Sequence, residues 1–140
     1  MSSQRLVVQP HYCVGCRACE MACAFTHGHQ GQPGTSRCLT ITVGKDEYVP
    51  MMCLQCDHAA CVRVCPVQAI GRADATGVVV VDERKCIRCM ACTVACPFGN
   101  MHVDRRSSLV LKCDLCAGYG DTPRCAMFCP TKCLSVEAAE

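Results

Sequence analysis

Two stretches of this chain carry thiols at spacings that suit one chemistry above others. Cys86–Pro97 reads CIRCMACTVACP, the C-x2-C-x2-C-x3-C-P pattern by which thiolates hold [4Fe–4S] clusters. Cys53–Pro66 reads CLQCDHAACVRVCP and differs only in a wider middle gap. A cubane cluster presents irons at the corners of a tetrahedron, and each iron takes one thiolate. A tight loop covers three corners, and the next cysteine rides away on a short helix to the neighbouring cluster. Two such runs therefore need each other. The proline that follows each run has no N–H and a fixed φ, which suits a helix end or a sharp change of direction.

The pattern occurs twice more. Cys13, Cys16, Cys19 and Cys23 repeat it, with Ala24 in place of the proline. Cys113, Cys116, Cys125 and Cys129 form a fourth run, whose middle insertion contains Gly118, Gly120 and Pro123 and must be a loop. Sixteen cysteines in four sets of four make four cubane sites. Four-cysteine zinc sites, as in a zinc-binding interaction module, are the alternative. They also use C-x2-C pairs, but have no use for the third loop cysteine or the x3-C-P ending. Dithiol redox chemistry would need only one C-x2-C. Cys38 and Cys133 are left over. Cys133 in CPTKCL falls where Ala69 falls in CPVQAI, which predicts a small buried residue near a cluster, and Cys38 reads as a free thiol at a loop end. His11 and His58 lie beside or inside motifs already complete in cysteine, so they read as surface residues or hydrogen-bond partners. Arg17, Arg63 and Arg88 lie inside motifs, and read equally as solvated charge or as cations favouring a more negative reduced state.

The elements between the runs must position them. Arg5–Val8 reads as a strand leading to the first run, and Thr26–Ser36 as a polar surface loop. Leu39–Val43 and Glu47–Met52 suggest a hairpin into Cys53. A turn over Asp74–Gly77 precedes Val78–Asp82, a buried strand running into Lys85-Cys86. Leu109–Lys112 runs into Cys113 in the same way, and KCLSV closes the chain as a strand. One unit of cysteine loop, short helix and hairpin is thus repeated four times.

Composition agrees. Cysteine accounts for 18 of 140 residues, with three Phe, three Tyr and no Trp. So few aromatics build a thin core, and bound metal must supply much of the folding free energy. Disulfides would need an oxidising compartment, whereas MSSQRLVV has neither an apolar signal core nor a twin arginine, so a cytoplasmic location is expected. No apolar run reaches membrane-spanning length. The formal charge is +2; an oxidised cubane with its thiolates carries about −2, so four bring the total to about −6. Nothing there favours nucleic acid. Dinucleotide fingerprints, a P-loop and a spare acid–base constellation are all missing, which points to electron transfer rather than catalysis by this chain alone.

From Cys13 to Val136 the sequence resembles the four-cluster ferredoxin family. Its members are iron–sulfur subunits of formate dehydrogenases, hydrogenases, carbon monoxide dehydrogenases, and tungsten or molybdenum pterin enzymes such as aldehyde oxidoreductase. The resemblance implies an α+β fold of two fused bacterial 2[4Fe–4S] ferredoxin-like modules, with short helices and small antiparallel hairpins. An inner module over residues 53–97 would be inserted in an outer one split over 1–52 and 98–140. It further implies one cluster on Cys53, Cys56, Cys61 and Cys96, and its partner on Cys86, Cys89, Cys92 and Cys65. The outer pair would take Cys13, Cys16, Cys19 with Cys129, and Cys113, Cys116, Cys125 with Cys23. Spacing alone also allows the first run to pair with the second and the third with the fourth. The family often has Gly in C-x-G-C, where Arg88 stands here. Expected partners are a larger catalytic redox subunit, a tungsten or molybdenum pterin enzyme first among them, and a second redox partner. Docking is expected beside the insertions Thr26–Ser36, Asp57–Ala60 and Ala117–Arg124. Association into longer chains of subunits is possible, and a freely diffusing polyferredoxin is the alternative.

Overall fold

Among the described residues every strand finds one antiparallel neighbour and none has two. The computed structural model describes residues 4–73, 76–117, 119–120 and 122–138. Strand β1 (Gln4–Val8) pairs with β8 (Leu134–Ala138), setting Leu6 opposite Val136 and joining the two ends of the chain. The other pairs are local hairpins: β2 (Leu39–Gly44) with β3 (Glu47–Met51), β4 (Ile70–Arg72) with β5 (Val79–Val81), and β6 (Met101–Val103) with β7 (Val110–Lys112). Residues 74 and 75 of the turn expected over Asp74–Gly77 lie outside the described residues, as does Gly118 of the last insertion.

Four helices alternate with the hairpins: α1 (Ala18–Thr26), α2 (Ala60–Val64), α3 (Ala91–Ala95) and α4 (Arg124–Phe128). The last three stop at Cys65, Cys96 and Cys129, each with φ near −69° and ψ near 115° and each followed by proline. Extended backbone is what a residue before proline prefers. The first run has Ala24 instead, and α1 accordingly continues past Cys23 to Thr26. Helix α1 packs on α4, and α2 on α3.

Two cores result. One gathers Leu6, Cys19, Cys23, Leu115, Cys125, Cys129 and Leu134 from the first and fourth runs and their strands. The other gathers Cys61, Ile70, Val79, Cys92, Met101 and Val110, mostly from the second and third. The valine run is shared between them. Val78 and Val80 face the first core while Val79 and Val81 face the second, as the alternation of a strand requires. Among the described residues no aromatic side chain is buried, and cysteine is the commonest buried residue type.

Candidate metal centres

In each run the residue before the second cysteine has left-handed backbone: Gly15 at φ 71°, Gln55 at 51°, Arg88 at 61° and Leu115 at 54°. That turn curls the C-x2-C loop back on itself. It accounts for glycine being a natural occupant of the position, since only glycine takes this conformation without steric cost. The first run has a second reason for glycine. A Cβ on Gly15 would lie 2.7–2.8 Å from ring atoms of Tyr48, closer than carbon atoms pack.

Backbone N–H groups turn toward the sulfurs. Ala69 donates to Cys65 Sγ at 3.2 Å and Asn100 to Cys96 Sγ at 3.5 Å, each from four residues on. Arg37 N donates to Cys23 Sγ at 3.1 Å, and Arg88 N to Cys86 Sγ at 3.4 Å. Hydrogen bonds of this kind favour the thiolate, the form that binds iron. Burial is the largest single influence on the Cys65 thiol and raises it, but the amides of Ala69, Val67, Ile70 and Gln68 together hold it below its usual range.

The helix packing brings thiols of different runs together around three hollows. Cys53, Cys56, Cys61 and Cys96 line one, beside Val79, Asn100 and Lys112. Cys86, Cys89, Cys92 and Cys65 line the next, against Ile70 and Val110. Cys113, Cys116, Cys125 and Cys23 line the third, with His27, Arg37 and Cys38 at its wall. Of the remaining quartet, Cys13, Cys19 and Cys129 belong to the first core, and Cys16 is exposed. Each hollow thus combines three thiols of one run with the x3 cysteine of the run whose helix packs on it. A single zinc ion would need its ligands drawn to within about 2.3 Å of one point. Among the described residues no three His, Cys, Asp or Glu side chains meet that way. Four thiols lining one hollow are the donor set that a cubane cluster takes. All eighteen cysteines are free, and the 3.4 Å between Cys129 Sγ and Cys133 Sγ is well beyond a disulfide bond.

Burial pushes the Cys113 thiol up to about 12 and raises Cys61, Cys92, Cys116 and Cys125 as well. Thiols this hard to ionise in isolation are ones that metal binding must deprotonate. Cys23 and Cys19 go the other way, to about 4 and about 6, chiefly through the neighbouring Cys38 thiol, which shares their core. Cys38 is therefore a buried group between two motif cysteines rather than only a loop-end thiol. Cys133 is buried where a small residue was expected. Arg17, Arg63 and Arg88 are exposed, with Arg17 in an ion pair with Glu20 at 3.4 Å, which favours the solvated reading. His11 and His58 are exposed too.

Sequence reasoning missed a polar group beside the third hollow. His27 Nε2 lies 3.3 Å from Asp114 Oδ1, its Nδ1 lies 3.7 Å from Cys23 Sγ, and Arg37 donates to Asp114 Oδ2 at 3.4 Å. The hydrogen bond to Asp114, reinforced by Cys23, raises the imidazole pKa to about 9. A signal was available: His27 stands four residues after Cys23, the place held by Ala69, Asn100 and Cys133 in the other runs. Also missed were Gln55, Asn100 and Lys112, the last because Lys85 has the same Lys-Cys context and is exposed. The loop after α1 and the β6–β7 turn enclose a polar cleft of about 470 Å³, bordered by His27, Arg37, Asp104 and Arg106. No helix among the described residues is long and apolar enough to cross a membrane.

Residues 45–139 match the model of the 4Fe-4S dicluster domain, and residues 10–26 match a 4Fe-4S binding domain. The chain is 38% identical to YsaA of Escherichia coli (strain K12), whose name proposes a role in electron transport, over 91% of this chain and 87% of that one. It is 37% identical to the polyferredoxin-like subunit of the aliphatic sulfonate oxidoreductase of Pyrococcus furiosus, over 89% of this chain and 70% of that one. Among solved structures, a chain of the active site complex BamBC of benzoyl coenzyme A reductase superposes with a TM-score of 0.59 at 26% identity. That match covers all of this chain and 81% of the other.

Proposed function

This chain belongs to the 4Fe-4S dicluster domain family, and from that premise we propose that it holds four [4Fe–4S] clusters and conducts single electrons between a catalytic redox subunit and a second redox partner. The observation that carries the reading is the make-up of the hollows, each with three thiols from one run and one from its packing partner. It favours the nested ligand sets, Cys53, Cys56, Cys61 with Cys96; Cys86, Cys89, Cys92 with Cys65; Cys113, Cys116, Cys125 with Cys23; and Cys13, Cys16, Cys19 with Cys129. A bound cluster supplies one-electron redox chemistry at a potential set by charge, hydrogen bonding and exposure. The inner module, built on residues 53–97, borrows Met101 and Val110 for its core, and the outer module takes the two flanks.

The protein's own residues give the pathway its ends. Cys16 and Cys89 are the two exposed motif cysteines, one in the first run and one in the third, while Cys53, Cys61, Cys116 and Cys125 are buried between. Electrons enter and leave beside the exposed thiols, and the buried quartets are shielded from solvent. The catalytic partner is a tungsten or molybdenum pterin enzyme. The polyferredoxin-like relative from Pyrococcus furiosus and the BamBC chain, each named as part of a larger reductase or oxidoreductase, support such an assembly.

The test is anaerobic isolation of the tagged protein from its own host, with iron and acid-labile sulfide counted and co-purifying chains identified. About sixteen of each per chain, a broad visible absorption and a large pterin-containing partner are expected. Colourless protein with about four zinc ions would overturn the cluster assignment. Brown protein recovered alone would replace the dedicated subunit by a diffusing carrier.

A further inference from the structure

Among the described lysines, arginines, aspartates and glutamates, Lys112 is the one that is buried, at 4% exposure. Its Nζ donates to the carbonyls of Val79 at 2.8 Å and Cys113 at 3.0 Å. An ammonium group carries three donors, and the structure gives it these two neutral acceptors and, among the described residues, no carboxylate partner. A buried cation without an anion is costly, and proteins retain one where a counter-charge belongs. The side chain borders the hollow of Cys53, Cys56, Cys61 and Cys96, while its backbone adjoins Cys113 of the third hollow. Gln55 completes the seam: it accepts from Val79 N and donates to Cys113 O, both at 2.8 Å. Lysine is not required merely to precede a cysteine run, since Lys85 does so at the surface.

We propose that Lys112 is the buried counter-cation of the cluster held by Cys53, Cys56, Cys61 and Cys96, and makes it the easier of the two clusters at this seam to reduce. The inference rests on the cluster reading above. Thiolate ligation gives the oxidised site a net negative charge. Reduction of a cluster held there would add one electron, so its more negative form would gain most from the fixed positive charge of Lys112 held in low dielectric. Lys112 acts on the potential as a positioning residue and needs no proton transfer to do so.

The experiment is a mediator titration of the anaerobically isolated protein, followed by electron paramagnetic resonance, for the wild type, Lys112→Met and Lys112→Arg. Iron and sulfide are counted in every sample. With full iron retained, the Met variant is expected to lower one cluster's reduction equilibrium by at least about tenfold, which is about 59 mV for a one-electron couple, and the Arg variant is expected to stay near wild type. Full iron with no potential displaced in Lys112→Met overturns the proposal. If the Met variant loses iron, Lys112→Gln provides a second neutral side chain. Loss of a cluster in both neutral variants but not in Arg supports the counter-charge, and loss in all three shows a packing role and overturns it. Wild-type protein lacking four clusters would sink the underlying reading instead, and iron analysis reports that separately.

Discussion

Around the second and third cysteine runs, α2 and α3 are both five residues long, end at a cysteine before a proline, and are joined through one short hairpin. Around the first and fourth runs, α1 is nine residues and α4 five; they pack on each other, and β1 and β8 join the chain ends beside them. The loop to be closed there spans nearly the whole sequence, and its closure entropy is larger. Fastenings on that side include the β1–β8 ladder, the Asp114 group with His27 and Arg37, and the buried Cys38 and Cys133, while the inner side is held by the buried Gln55, Asn100 and Lys112 bonded to backbone. The locally closed pair is held by side-chain bonds to backbone, whereas the pair closed end to end adds a strand ladder and ion pairs of its own.

Breaking the long-range closure should have the largest effect. Leu6→Asp places a carboxylate at a position 4% exposed in the first core, a change expected to cost about 3 kcal/mol or more. Roughly half of the iron should be lost, that of the first and fourth runs, with the rest retained. Iron analysis with urea unfolding checks this, and equal loss from all four sites would break the comparison.

Next comes Gly15→Gln, which puts into the first run the residue the second run uses there. Left-handed backbone and contact with Tyr48 together predict about 2 kcal/mol of destabilisation, read as a lower denaturant midpoint. Asp114→Asn should cost about 2 kcal/mol by leaving His27 and Arg37 without their carboxylate. The same group predicts a pH dependence. The folded pKa of His27 is raised, so its stabilisation is complete below the ordinary value of 6.5 and is lost as pH rises through about 9. Thermal melts across that interval should show wild type losing stability that His27→Gln never had. A bound cluster adds negative charge nearby and extends the effect upward in pH. Smallest is Arg88→Gly, which relieves left-handed backbone on an exposed residue. A gain of at most about 1 kcal/mol is expected, a sign opposite to that at Gly15.

The difference between the halves also decides what could be read from the residues. Cysteine spacing with the prolines at 66, 97 and 130 specified helix positions and ends, because proline acts locally. The hairpins around Leu39–Met51 and Val110–Lys112 were visible for the same reason. Nothing local says which helix packs on which, and spacing left nested and sequential pairing equally open. The packing of α1 on α4 goes with contacts of Leu6, Val136 and their neighbours, residues whose hydrophobicity is ordinary and whose partners lie at the other end of the chain. Lys112 and Asp114 were hidden differently. Each has the side chain of a surface residue, and only its place at a seam or hollow gives it a task.

The shared valine strand carries a consequence for how this sequence can vary. Val78 and Val80 answer to one pair of cysteine runs, Val79 and Val81 to the other. Neighbouring residues therefore answer to different cores, and a substitution tolerated at one position meets a different set of contacts at the next. Neither core can be repacked through this strand without disturbing the register that also fixes a wall of the other.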